Sequence, residues 1–273
     1  MQISSRRFLQ VGVLIFVTIA LALSAQAAGF SNASLKGGYS FLVNRWTADV
    51  TANQFAVMGV MTFDGAGNVT ASYTMISGGS VTTGTLGGTY AVKSNGTGTI
   101  KFTTGTNPPQ FAITLNSTAA GVAHGVQLLQ TNDSSNEVVS GTALLQSTTA
   151  GKYSVANVKG NFGFQWNEWT ADVNNSQEGC VGIVSFDGKG NLKGSQKNMS
   201  GGVLKTGTFT GTYTVNPDGS GSMSMTDNRG DKSQTAFALN SVAAGQAKGA
   251  QFLVTSTGGN NKNIVVSGVA LKQ

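Results

Sequence analysis

The chain has 273 residues, of which only 10% are charged, with 38 glycines, 3 prolines and one cysteine. Thr, Ser, Asn and Gln carry the polar surface, a mix suited to strands and tight turns rather than to helices or disorder. The formal charge of +6 is spread along the chain without a Lys/Arg run, which excludes the clustered cations that nucleic-acid binding needs.

Residues 1–27 read as a cleavable signal peptide. Arg6 and Arg7 precede an uncharged run from Val11 to Leu23, and Ala25-Gln26-Ala27 is a small-x-small cleavage site. The run is too short to span a bilayer, which takes roughly 20 residues. Ser5-Arg6-Arg7-Phe8-Leu9 is similar to a twin-arginine signal but lacks the spacer residue before Phe-Leu, which favours the general secretory route. The leader holds two of the 17 basic residues and none of the 11 acidic ones, leaving a mature charge of +4. The protein is therefore expected to be exported, periplasmic or extracellular. With Cys180 as the lone thiol it has no internal disulfide, and Cys180 reads as a small buried apolar residue, because its repeat counterpart is Val57.

Everything after the leader is a duplication at an offset of 123 residues. Segments 35–98 and 158–221 share 29 identities in 64 positions, including Trp46-Thr47-Ala48-Asp49-Val50, which returns unchanged at 169–173. Phe63-Asp64-Gly65-Ala66-Gly67-Asn68 returns as Phe186-Asp187-Gly188-Lys189-Gly190-Asn191. Later the offset grows to 124 at Leu115/Leu239 and 127 at Val139/Val266, so insertions fall in loops. The predicted domains are residues 28–146 and 156–273, joined by a linker at 147–155.

In the first repeat, strands are expected at 38–46, 54–64, 69–77, 81–93, 96–104, 110–117, 122–131 and 137–146. Asp64-Gly65 and Asn95-Gly96 mark tight hairpins between them. Alternation puts Tyr39, Phe41 and Val43, with Phe162, Phe164 and Trp166, on the inward face. Eight sequential antiparallel strands form a meander whose edges are removed by closure. The fold class is thus all-β, two tandem eight-stranded up-and-down barrels, with β-sandwiches as the alternative. A single 16-stranded outer-membrane barrel fits the strand count but lacks aromatic girdles and a terminal aromatic residue.

The F-D-G-x-G-N turn, the later G-T-Y strand and the closing V-V-S-G-x-A strand resemble a loose group of exported bacterial tandem-repeat proteins. That resemblance implies fold and export and carries no activity. In strand arrangement alone the repeats are also similar to lipocalin- and avidin-type barrels.

No constellation spells out a reaction, and the chain is expected to be non-enzymatic, without cofactor or metal. His124 has no partners at ligand spacing. The Asp64 and Asp187 loops present one carboxylate among glycines, which suits a turn better than calcium. The candidate ligand-binding residues are Trp46, Asp49, Trp169 and Asp172, an aromatic platform beside a carboxylate at a strand end, together with Gln127 and Gln251 on late strands. Against this, Trp46 and Trp169 would plug the barrel ends, the reading favoured here. Ser140 and Ser267 are further polar residues that could line a pocket. The expected partner is a small apolar or carbohydrate ligand, or a cell-envelope component. Trp166 and Phe252 replace Val43 and Leu128 in the second repeat, so the first is expected to keep the larger cavity.

Overall fold

The structure, a computed structural model, describes residues 29–47, 54–132, 137–147, 152–170, 177–256 and 264–273. The first repeat supplies β1 (Lys36–Thr47), β2 (Phe55–Asp64), β3 (Asn68–Ser77), β4 (Ser80–Val92), β5 (Thr97–Phe102), β6 (Gln110–Ala119), β7 (Val122–Gln130) and β8 (Glu137–Ser147). The second supplies β9 (Lys159–Thr170), β10 (Glu178–Asp187), β11 (Asn191–Ser200), β12 (Val203–Val215), β13 (Ser220–Asp227), β14 (Lys232–Asn240), β15 (Gly249–Ser256) and β16 (Ile264–Lys272). Each set is an antiparallel meander that closes on itself, β8 on β1 and β16 on β9. There are two eight-stranded barrels and not one of sixteen strands.

The period-2 pattern explains the walls. In barrel 1, Tyr39, Phe41, Met61, Phe63, Ile100, Phe102, Phe111 and Leu128 point inward and are almost wholly buried. Turn chemistry sets the register. Asp64 Oδ1 accepts hydrogen bonds from the backbone N–H groups of Ala66, Gly67 and Asn68, while Oδ2 accepts from Asn68 Nδ2. Gly65 and Gly67 take the positive φ that this turn requires. Asp187 repeats the arrangement with Lys189 and Asn191. The carboxylates are thus spent on closing the hairpin.

One end of each barrel has a floor. A single 3-10 turn, Asn32–Ser34 or Val155–Asn157, precedes the first strand. The Tyr90 hydroxyl lies 2.9 Å from the carbonyls of Asn32 and Leu35, and Tyr213 holds the Val158 carbonyl at 2.8 Å. Edge-to-face contacts of Phe63 with Tyr90 (5.0 Å) and Phe186 with Tyr213 (4.9 Å) complete the floors. The floor is the same in both copies. The opposite end is not.

The barrels pack wall to wall. Leu42, Ala56, Met58, Val60 and Ile76, on the outer face of barrel 1, meet Ala238, Leu253 and Val265 of barrel 2. Strand β2 is therefore buried on both faces.

Candidate functional site

Of the sequence-predicted residues, Trp46 sits on the outer face of β1 and is 44% exposed. It does not plug the barrel, because its alternation parity sends it outward. Its inward neighbour Arg45 takes that place. The Trp169 backbone pairs with Val265 across β9 and β16. Asp49 and Asp172 lie outside the described residues. Gln127 is exposed on the outer face of β7. Gln251 is buried, yet it too faces out of its barrel: its side chain fills the seam, accepting from Ser40 Oγ at 3.1 Å and donating to Thr142 Oγ1 at 3.0 Å. Ser267 donates across the same seam to Asn44 Oδ1 at 3.0 Å. Neither glutamine lines a barrel interior, since inward positions on these strands belong to Leu128 and Phe252. His124 is exposed on the wall.

The open end of barrel 1 is filled. Arg45 lies 3.0 Å from Glu137, both side chains at least 86% buried (14% and 12% exposed), and its guanidinium stands 4.8 Å over the Phe55 ring. Below, Phe102 and Phe111 make an edge-to-face pair at 6.5 Å.

Ladder register identifies the counterparts in barrel 2. Thr47 pairs with Glu137 as Thr170 pairs with Ile264, and Ile100 pairs with Phe111 as Met223 pairs with Thr235. Arg45, Phe55 and Glu137 are thus replaced by Glu168, Glu178 and Ile264, and Phe102 and Phe111 by Met225 and Thr235. Tyr73 becomes Gln196. Every one of these exchanges removes bulk or breaks the ion pair.

The result is a cavity of about 620 Å³ inside barrel 2, within the range of small-molecule sites. Phe164, Trp166, Phe209, Phe237, Phe252, Met223 and Met225 line its body. Glu168, Glu178, Asp227, Arg229, Asp231 and Lys232 ring its mouth. The second repeat holds this cavity despite the bulk that Trp166 and Phe252 add there. Those two gains are outweighed by the losses at the Phe102, Phe111, Tyr73 and Arg45 positions, which are far apart in sequence and meet only in the closed barrel.

Electrostatics distinguish this mouth. Burial pushes the Glu168 carboxyl up to about 7, with the nearby Glu178 charge adding to the effect. Arg229 Nη2 bridges Asp227 at 2.7 Å and Asp231 at 3.3 Å on the rim. Deeper, Thr235 is 2% exposed, and its hydroxyl oxygen has no hydrogen-bond partner among the described residues. A buried hydroxyl of that kind is uncommon and is a ready contact for a polar atom of a ligand. Cys180 is buried in the wall with its thiol pushed up to about 12 by burial and by Glu178, which makes it a poor nucleophile. Sequence comparison missed Glu168, Glu178 and Thr235. The signal was available as replacements between the copies, whereas attention to retained blocks points elsewhere.

No protein-family model matches the chain, and no curated protein does. Among solved structures, the chain is similar to a protein of unknown function from the DUF3598 family of Nostoc punctiforme (14% identity, 89% of this chain and 98% of that one, TM-score 0.27). It is also similar to kievitone hydratase from Nectria haematococca (7%, 91% and 94%, TM-score 0.28). A third is the isotype 1 transferrin binding protein B from serogroup B Neisseria meningitidis (7%, 88% and 77%, TM-score 0.32). None of these likenesses bears on activity.

Proposed function

We propose that this protein is an exported, non-enzymatic binding protein whose barrel 2 takes one small, largely apolar molecule, while barrel 1 serves as its scaffold. The observation that carries this reading is the 620 Å³ aromatic- and methionine-lined cavity in one copy of a duplicated barrel. Aromatic faces and the adaptable Met223 and Met225 thioethers favour a ring or acyl body over a sugar. Four acidic and two basic residues at the mouth favour a polar or cationic head group there. A protonated Glu168 would donate a hydrogen bond, and Thr235 would meet a second polar atom within.

The test uses N-phenyl-1-naphthylamine, a neutral apolar probe, on protein purified from an exporting host. The expected result is saturable probe fluorescence with one site per chain, lost in Phe237→Trp, which fills the cavity, and kept in Trp46→Ala. Absence of saturation, or loss in Trp46→Ala alone, would overturn the assignment of the site to barrel 2. The denatured mass of the same sample tests export, with cleavage expected after Ala27.

A further inference from the structure

The joint between the barrels uses different faces of the two repeats. Barrel 1 contributes β1 and β2 with the flanking β3 and β8, and barrel 2 contributes mainly β14–β16. Such a contact is heterologous, and it leaves each repeat with one face of the pair unused. Barrel 2 retains its own version of the β1–β2 face. Met58, Val60 and Ile76 correspond to Val181, Ile183 and Met199, which are 56%, 42% and 47% exposed. A groove beside them is lined by Val181, Ile183, Ser195 and Lys197. Barrel 1 retains its version of the β14–β16 face. Leu253 and Val265 correspond to Leu129 and Val138, which are 48% and 52% exposed.

Part of the polar set is retained as well. Ser267 and Asn44, hydrogen-bonded across the joint, correspond to Ser140 and Asn167. Gln251 corresponds to Gln127, and Ser72, which donates to Asp218 across the joint at 2.9 Å, to Ser195, with Asn95 in the place of Asp218. Apolar residues that serve no barrel interior, kept beside matching hydrogen-bonding groups, mark an interaction face. We propose that a second copy of this chain covers them: the Val181/Ile183 face of one molecule docks on the Leu129/Val138 face of the next, repeating the internal joint head to tail. In barrel 1 the two faces are centred on β2 and on β7 and meet along β8, where Ser140 pairs with Asn44, so the two neighbours would sit side by side on the wall. Gly163, Gln165 and Val269 stand where Ser40, Leu42 and Thr142 contribute to the internal joint, so Gln127 meets neither of the side-chain partners that Gln251 has, and the contact between chains is the weaker one and depends on concentration.

Sedimentation velocity of the protein from an exporting host tests this. Growth beyond the dimer with rising concentration is expected, because a heterologous joint is not used up by two copies. Val181→Glu with Ile183→Glu, and separately Leu129→Glu with Val138→Glu, should each remain monomeric with unchanged melting. An equimolar mixture of the two variants should recover a dimer and nothing larger, since one good face of each kind remains. A second measurement reads the register: Ser140→Cys and Asn167→Cys chains, mixed under mild oxidation, should give a disulfide-linked heterodimer. A wild-type monomer at every soluble concentration, association that survives either face variant, or a mixture that gives no cross-link would each overturn the proposal.

Discussion

Arg45 and Glu137 meet at 3.0 Å inside the open end of barrel 1, and the residues in register with them in barrel 2, Glu168 and Ile264, form no such pair. A few exchanges between the copies therefore replace the ion pair that fills this end of barrel 1 with the acidic mouth of the barrel 2 cavity. Removing one partner of a largely buried ion pair strands the other in a poor solvent, at a cost of about 3 kcal/mol. Arg45→Ala should lower the stability of barrel 1 by that order, and Arg45→Ala with Glu137→Ala should recover part of the loss. Chemical denaturation of the single and double variants measures both.

The cavity in barrel 2 should be removable by restoring the residues of barrel 1. Met225→Phe with Thr235→Phe recreates the Phe102–Phe111 pair and should abolish binding of N-phenyl-1-naphthylamine without lowering the melting temperature. Equal probe binding in this variant would place the site elsewhere.

Thr235 should tolerate loss of its hydroxyl. A buried donor and acceptor without a partner costs about 1 kcal/mol or more, so Thr235→Val should stabilise the free protein by about 1 kcal/mol. A destabilised variant in urea melts would show that the hydroxyl has a partner in solution.

Glu168 should make stability depend on pH. Its native carboxyl holds a proton up to about 7, whereas the unfolded chain releases it near its ordinary value of 4.5. The native state thus binds more protons between these values, and stability falls as pH rises through that window. Thermal melts from pH 4 to 8 should show the decline, and Glu168→Gln should flatten it. An unchanged slope in the variant would locate the titrating group elsewhere.

Asp64 and Asp187 act in the opposite sense. Hydrogen bonds from the Asn68 and Asn191 side chains, then from the turn backbone, hold both carboxyls down at about 2. Their contribution is present above the ordinary carboxylate value, near 4, and lost as pH falls toward 2. Asp64→Asn with Asp187→Asn should lower the melting temperature at pH 7 and narrow its gap from wild type at pH 2.

Sequence alone determined the local and repetitive parts of this molecule. Strand positions follow from alternation, hairpins from Asp-Gly and Asn-Gly pairs, and the inward set from the polarity shared by Tyr39, Phe41 and their counterparts, because these signals act over a few residues. Two properties were decided only by the tertiary structure. The space inside a barrel depends on side chains from six of its strands that become neighbours on closure, so pairwise comparison of Val43 with Trp166 does not reveal the cavity of barrel 2. Which outward residues are surface and which are seam depends on how one wall meets the other. Gln127 and Gln251 carry the same local pattern, yet the docking of barrel 1 on β14–β16 buries the second and leaves the first exposed.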